Sequence, residues 1–343
     1  MEKHHGKIVL AALALVIGVL PLVLTSSYQH SIAVFIGLNT MLAVGLCLLA
    51  GYAGQISLGH SAMYGIGAYA SAILTTRYHL DPWLAMGAAA IIIALMAYAI
   101  GVPLFRLKGL NLATGTMAFG VLVYLVMVQE KGLTGGLNGL GDIPSLRILS
   151  FTFDDINYFY LVWALALLFI ALSLNIVNSR VGRALRSIHD SETAAEMLGV
   201  NANKYKIQIF VVSAVYAGIA GSLYAHYVTY LNPAPFSMLL SIMLLAMVVL
   251  GGLSSIWGAL VGSVVITLMT EILRGIIPKF TGGASGEYEI VVFGIVLMAV
   301  LILAPQGLVS VMTAPIRRWR HTPAVQAQAL EGSAATAERA SHS

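Results

Sequence analysis

Side chains able to do acid–base, nucleophilic or metal chemistry are few in this sequence, and they are scattered. It holds nine histidines, fourteen carboxylates and one cysteine, Cys47, among 343 residues. Metal-assisted hydrolysis needs ligands at helical spacing, as in H-E-x-x-H, and His4, His5 and the isolated His226 form nothing of that kind. A lone cysteine makes no intrachain disulfide, and no Cys/His cluster points to a metal. A G-x-x-x-x-G-K-[ST] phosphate cradle is missing, so the sequence shows no ATP site. What remains is a set of polar residues set into apolar runs: Asn39, Gln55, Ser57, His60, Thr114, Thr116 and Glu271. Polar groups at membrane depth are costly, and they mark solute pathways by default. Asn39, Gln55, Ser57, His60 and Thr116 are therefore pore-lining candidates. For His60, after a Gly-rich turn, the plainer role is packing near an interface. Glu271, three residues before Arg274, suits a local ion pair.

The elements that must hold these residues follow from composition. The chain is 59% hydrophobic and 9% charged, with a mean hydropathy of +0.89. An ordinary soluble domain is about 25% charged, so this chain cannot supply a soluble surface. Apolar segments recur at 8–25, 31–50, 58–76, 83–103, 109–128, 157–178, 207–228, 237–252, 256–275 and 288–310. Crossing a bilayer takes roughly 20 apolar residues per helix. The expected fold is all-α: a polytopic transmembrane helical bundle of about ten membrane helices. A barrel would show short alternating strands, which are not evident. One membrane domain, 1–320, precedes a tail, 321–343, rich in Ala, Ser, Thr and Glu and expected to be disordered. Lys3 and Lys7 precede the run Ile8–Leu24, which is long for a signal core and has no A-x-A site after it; it is expected to be a retained helix. The third segment, with Gly59, Gly65 and Gly67, and the join Gly251-Gly252-Leu253-Ser254-Ser255 are weakly apolar and suit broken or re-entrant backbone.

Basic residues orient such a bundle. With a cytoplasmic N-terminus, the inner side carries Lys3, Lys7, Arg106, Lys108, Arg180, Arg183, Arg186, Lys204, Lys206, Arg317, Arg318, Arg320 and Arg339. The outer side carries only Arg77, Lys131, Arg147, Arg274 and Lys279. Both termini are then expected inside. Tyr28, Trp83, Tyr158, Trp163, Tyr288 and Trp319 lie at segment edges and are expected to form an interfacial belt. The net charge of +4 reflects this scatter of basic loops, with no stripe for nucleic acid.

Two loops exceed the rest. The outer one, Gln129 to Asn157, carries a Gly-rich turn from Thr134 to Gly139 and the pair Asp154 and Asp155. The inner one runs from Ser179 to Lys206 and alternates charged and apolar residues. Arg183 and Arg186 lie three apart, and Arg186 and Asp190 sit four apart on a helix face. A second short helix is well punctuated: Asp190 or Ser191 as N-cap, Glu192 near the positive helix end, and Gly199 as a left-handed stop. Ala194, Ala195, Met197 and Leu198 then make a small apolar surface fit for a partner's groove. Lying on the membrane surface is the simpler role for such a loop.

The stretch Gly182-Arg183-Ala184-Leu185-Arg186-Ser187-Ile188, followed by Ala194-Ala195-Glu196-Met197-Leu198-Gly199-Val200-Asn201, resembles the cytoplasmic coupling loop of bacterial ABC importer permeases of the branched-chain amino acid (LivM-like) type. The run from Gly51 to His60, the stretch from Leu107 to Gly120, the Thr134–Gly139 turn and the Gly251-Gly252 junction match in order. Thr193 stands where the broader importer pattern has an acid, with Glu192 one place earlier. The resemblance implies a cytoplasmic ATPase-coupling helix built from Gly182, Arg183, Arg186, Asp190, Glu192, Ala194, Ala195, Glu196, Leu198 and Gly199. It implies a bacterial inner-membrane permease that binds no cofactor itself. Its partners would be ABC ATPase subunits that use ATP, a second homologous permease and a periplasmic solute-binding protein. Branched-chain amino acids are the leading solute; urea, short amides or other amino acids are the alternatives. A secondary transporter would place several carboxylates or histidines at the midplane, where this sequence has almost none.

Overall fold

The computed structural model describes residues 2–23, 26–107, 109–148, 151–152 and 154–281, with isolated positions at 294, 295 and 298. In chain order its helices are α1 (Glu2–Val23), α2 (Ser27–Cys47), α3 (His60–Thr76), α4 (Pro82–Leu104), α5 (Leu110–Gln129), α6 (Lys131–Thr134), α7 (Asp155–Asn178), α8 (Arg180–Asp190), α9 (Glu192–Met197), α10 (Ala202–Val228), α11 (Met238–Gly251) and α12 (Ile256–Thr281). A π-helical turn, Leu48–Tyr52, extends α2. The 129–157 loop carries a short antiparallel pair, β1 (Arg147–Ile148) and β2 (Phe151–Thr152), with Arg147 opposite Thr152.

Six helices among the described residues are long and apolar enough to cross a membrane: α2 with its π-turn, α4, α5, α7, α10 and α12. Of the ten expected segments, these six meet both criteria among the described residues. α3 has 17 residues and α11 has 14, short of the roughly 20 that a perpendicular crossing needs. In α1 the stretch Leu10–Pro21 is a shorter apolar helix. The expected segment at 288–310 and the tail at 321–343 lie outside the described residues, apart from helical positions 294, 295 and 298.

Local chemistry sets the ends. Asp81 caps α4 by accepting from the Trp83 amide at 2.9 Å, and Pro82 opens the helix where no N–H is needed. Asn201 caps α10, accepting from the Lys204 amide at 3.0 Å. Between α2 and α3 the chain is non-helical over 53–59, and between α11 and α12 it turns at 252–255. The Gly251–Ser255 join is therefore a break in helix, whereas the third segment is one continuous helix from His60, with Gly65 and Gly67 inside it and the break just before it.

α2 is the centre of the bundle. Its apolar window is 83% buried against protein, whereas α5 buries 22% and α4 28%, which leaves those two to face lipid or a partner. α10 packs closely on α3 through small residues. A Cβ on Gly67 would strike the Gly218 backbone, and one on Gly221 would strike the Tyr64 carbonyl. With Ala217 fully buried beside them, this is the small-residue face that lets membrane helices approach closely. Tyr158 and Trp163 belong to the interior, not to an interfacial belt. They are 3% and 5% exposed; Tyr158 donates to the Leu223 carbonyl, and Trp163 Nε1 donates to the Ala33 carbonyl at 3.0 Å. Both sit on the face of α7 turned to α2 and α10, and facing outweighs nearness to a segment edge. Tyr28 is exposed, as expected of a belt residue, and Trp83 donates to the Arg147 carbonyl at 2.9 Å. Tyr288 and Trp319 lie outside the described residues.

The connections gather at two ends. At one, Tyr52 donates to the Ser254 carbonyl at 2.9 Å, and Gly54 packs against the His189 ring. At the other, Leu140 and Leu231 form an isolated β-bridge, Ser27 donates to Asp155 at 2.5 Å, and Arg77 donates to the Gly132 and Leu133 carbonyls.

Candidate functional site

The 179–201 loop folds as two short helices joined at a cap. Ser179 accepts from the Val181 amide at 3.1 Å to start α8, and Ser191 accepts from the Ala194 amide at 3.3 Å to start α9. Of the two expected caps, Ser191 takes the role. Leu185 and Ile188 are buried, while Arg183 and Asp190 are exposed. Gly182 sits so close to the Val177 and Ile176 carbonyls that no larger residue fits. Arg186 and Asp190 form no ion pair; Arg186 donates instead to the carbonyl of Val177, in the last turn of α7, at 3.3 Å. A carbonyl left open at a helix C-terminus is a fitting partner for a cation.

α9 presents one face inward and another outward. Ala195 packs into a small cluster with Ile188 and Ala202, supported by Val200 and Tyr205. Of the expected apolar surface, Ala195 is thus internal. Ala194, Glu196 and Gly199 are exposed, and Met197 and Leu198 are each 82% exposed. Gly199 takes φ +84°, the left-handed conformation expected of a helix stop, in open space. Glu192 pairs with Lys206 at 2.7 Å, and the Lys206 side chain is 3% exposed. Sequence reasoning missed this clamp. The residues are fourteen apart, outside any local helix rule, and Lys206 reads in sequence as one more loop charge.

A contiguous path leads from this loop into the bundle. A Cβ on Gly54, at φ +66°, would meet His189 Nδ1 at 2.7 Å, so the 53–59 loop lies directly on α8. The π-turn before it touches the α11–α12 turn: the Cys47 thiol donates to the Leu253 carbonyl at 3.3 Å, and Gly51 abuts that same carbonyl. Gly251, Gly258 and Gly262 bring α11 and α12 into backbone contact just beyond.

Four of the pore candidates cluster at this end. Ser57 and His60 are 2% exposed, Gln55 donates to the Ala53 carbonyl at 2.9 Å, and the Leu58 amide donates to Thr116 Oγ1 at 3.0 Å. His60 Nε2 has no hydrogen-bond partner among the described residues. The fifth, Asn39, is separate. It donates to Thr267 Oγ1 at 3.0 Å in the wall of a cavity of about 590 Å³ that opens at the opposite end. That cavity lies between α2, α11 and α12, and Tyr64 and Tyr224 reach its floor. Glu271 and Arg274 stand at its mouth, 3.8 Å apart, and Tyr28 donates to Glu271. The expected Glu271–Arg274 ion pair is present. Among the described residues no group of His, Cys, Asp and Glu is arranged to hold a metal.

The comparisons agree with this architecture. The family model described as "Branched-chain amino acid transport system / permease component" matches residues 28–301. The high-affinity branched-chain amino acid transport system permease protein LivM of Salmonella typhimurium is 30% identical over 336 residues, covering 90% of this chain and 76% of that protein. The permease protein LivH of the same system and organism is 25% identical over 288 residues, covering 79% of this chain and 90% of that protein. A solved structure titled "PsaBC from Streptococcus pneumoniae in complex with Fab" aligns over 88% of this chain and 99% of that one, at 14% identity and a TM-score of 0.42, too distant to carry an argument. With its helical membrane architecture and a match spanning most of its length, this chain belongs to the family of branched-chain amino acid transport permeases and is LivM-like.

Proposed function

We propose that this chain is the membrane-spanning subunit of a binding-protein-dependent ABC importer for branched-chain amino acids, driven by ATP hydrolysis on separate subunits. The observation that carries the reading is the Met197–Leu198 knob, two apolar side chains 82% exposed at the end of a short helix that is clamped from behind by the part-buried Glu192–Lys206 pair. Two apolar side chains that the chain itself leaves uncovered, on a rigid, capped knob, suit a protein groove. The ATPase seated on α9 would move it, and α8 would pass that motion through the 53–59 loop to the α11–α12 turn. Packed elements with two discrete arrangements carry such coupling.

The coupling end is cytoplasmic in this reading, with both termini on the same side. Arg106, Arg180, Arg183, Arg186, Lys204 and Lys206 gather there, as the positive-inside rule requires. The opposite end, with the β1–β2 hairpin and the Leu140–Leu231 bridge, would receive solute from a periplasmic binding protein. A second, LivH-like permease would complete the pore; the match to both LivM and LivH supports a paired arrangement.

Two measurements test the reading together. Purification of the tagged chain from its native membrane should recover P-loop ATPase subunits in stoichiometric amount. Cells lacking the chain should lose uptake of labelled leucine, with isoleucine and valine as the effective competitors. Retained uptake in a strain without redundant carriers would sink the assignment, and competition by urea alone would move it to urea or amides.

A further inference from the structure

A groove at the coupling end runs along α10 and changes character partway. It holds about 800 Å³ and is walled by Tyr98 of α4, Ile176 near the end of α7 and Val181 at the start of α8. One face of α10 forms its floor: Lys204, Ile207, Gln208, Val211 and Val212, at i, i+3, i+4, i+7 and i+8. Gly101 packs on Ile207 and Phe210, which sets α4 beside this face. The floor is polar at the start of the helix and apolar toward the bilayer.

The two ends call for different partners. Tyr98, Asn203, Lys204 and Gln208 all line the groove, and none of these side chains has a hydrogen-bond or ion-pair partner among the described residues. Lys206, two residues on, is closed on Glu192, whereas Lys204 is exposed. The apolar end continues onto α4. Leu84, Ile91 and Leu95 are 66%, 63% and 67% exposed, and with Tyr98 they are spaced seven, four and three apart, as one stripe. From Leu84 to Tyr98 that stripe rises about 21 Å, more than the roughly 15 Å of hydrocarbon in one leaflet. Side chains at that depth meet acyl chains or another membrane helix. An apolar helix laid there would bring no charge to Lys204. A phospholipid has the layout of the groove: a phosphate at one end and hydrocarbon along the other.

We propose that this groove binds one anionic phospholipid, with its phosphate on Lys204, its headgroup and glycerol among Asn203, Gln208 and Tyr98, and an acyl chain along Val211, Val212 and the α4 stripe. Basic pockets between membrane helices on the cytoplasmic side take anionic headgroups in this way. The choice of the inner leaflet rests on the orientation in the importer reading above; the site itself does not. Because Val181 walls the groove, the bound lipid touches α8 as well as α4 and α10. It thus seats the base of the coupling loop against the membrane helices.

The test uses the full-length chain, purified from its native membrane with whatever subunits accompany it, stripped of lipid in neutral detergent and supplied with dioleoyl phosphatidylglycerol or dioleoyl phosphatidylcholine. Native mass spectrometry counts the lipid retained. The anionic lipid should be retained several-fold over the zwitterionic one. Lys204→Gln should remove most of that preference at an unchanged melting temperature, and Tyr98→Phe should weaken it. Lys131→Gln, an exposed cation at the opposite end, should leave it intact. Glycerol 3-phosphate in excess should not displace the lipid, because it has no chain for the apolar end. Equal retention of the two lipids overturns the site, as does a preference that survives both Lys204→Gln and Tyr98→Phe. Displacement by glycerol 3-phosphate overturns it in favour of a free phosphate site. Loss of the preference when partner subunits are bound overturns it in favour of a protein covering the groove. Absence of ATPase subunits from the preparation would count against the importer reading and leave the lipid count to decide this site alone.

Discussion

Two residues of the coupling loop can be tested singly, because each has one evident physical role. Gly199 sits at φ +84° with nothing near its absent side chain, so backbone conformation is the whole constraint. A β-branched residue there costs roughly 1–2 kcal/mol of left-handed strain. Gly199→Val should reduce leucine uptake several-fold with normal membrane yield, whereas Gly199→Asn should keep most of it, since Asn tolerates that geometry. Equal uptake in both would disconnect the helix stop from transport. The Glu192–Lys206 clamp gives an asymmetric expectation. Removing Glu192 strands a nearly buried ammonium, a loss of about 3–5 kcal/mol by analogy with broken buried pairs. Removing Lys206 leaves a carboxylate that is 27% exposed and can recruit water. Thermal unfolding of the purified permease should therefore show Glu192→Ala melting well below Lys206→Met; the reverse order would show that the lysine stem, not its charge, holds α9. Gly199 was legible in the sequence because a stop follows a cap at fixed spacing. Lys206 was not, because its partner lies across a turn that only the fold closes.

At the scale of elements, helix positions were legible and helix faces were not. Apolar runs of near-spanning length fixed α2, α4, α5, α7 and α10 to within a few residues, since length and composition alone decide them. Tyr158 and Trp163 read as belt residues from their position along α7, but their azimuth turns them into the bundle. Azimuth is set by what α7 packs against, and its apolar residues surround it too evenly to reveal that. The small-residue face of α10 has a consequence that can be measured. A methyl at Gly221 would run into the backbone of α3 at Tyr64 and Ala68, with no flexible side chain to yield. Gly87, on α4, faces open space. Gly221→Ala should lower detergent-extracted yield and melting temperature sharply, and Gly87→Ala should leave both unchanged. Similar behaviour of the two would mean that the α3–α10 contact relaxes freely.

For the whole molecule, the two-ended arrangement ties charge, loop and cavity into one orientation. The 53–59 loop, α8, α9 and the α11–α12 turn share one end, and the hairpin, the Leu140–Leu231 bridge and the mouth of the cavity share the other. The basic bias of the first end was visible in sequence because it is a count over loops. The cavity was not, because Asn39, Glu271 and Arg274 come from segments more than two hundred residues apart. If ATPases dock on α9, that end must face the cytoplasm, and solute must arrive at the other. Leu198, 82% exposed on the knob, and Leu137, 73% exposed in the opposite loop, report the two ends independently. In a Cys47→Ser background, Leu137→Cys should react with a membrane-impermeant maleimide in intact spheroplasts, and Leu198→Cys only after permeabilisation. The opposite pattern would place the knob outside, where no ATPase could reach it, and the importer mechanism would fail with it. Partial labelling of Leu198→Cys that rises when the ATPase subunits are absent would fit the same orientation only if permeabilisation is still required, because a docked subunit shields the knob but does not move it across the bilayer.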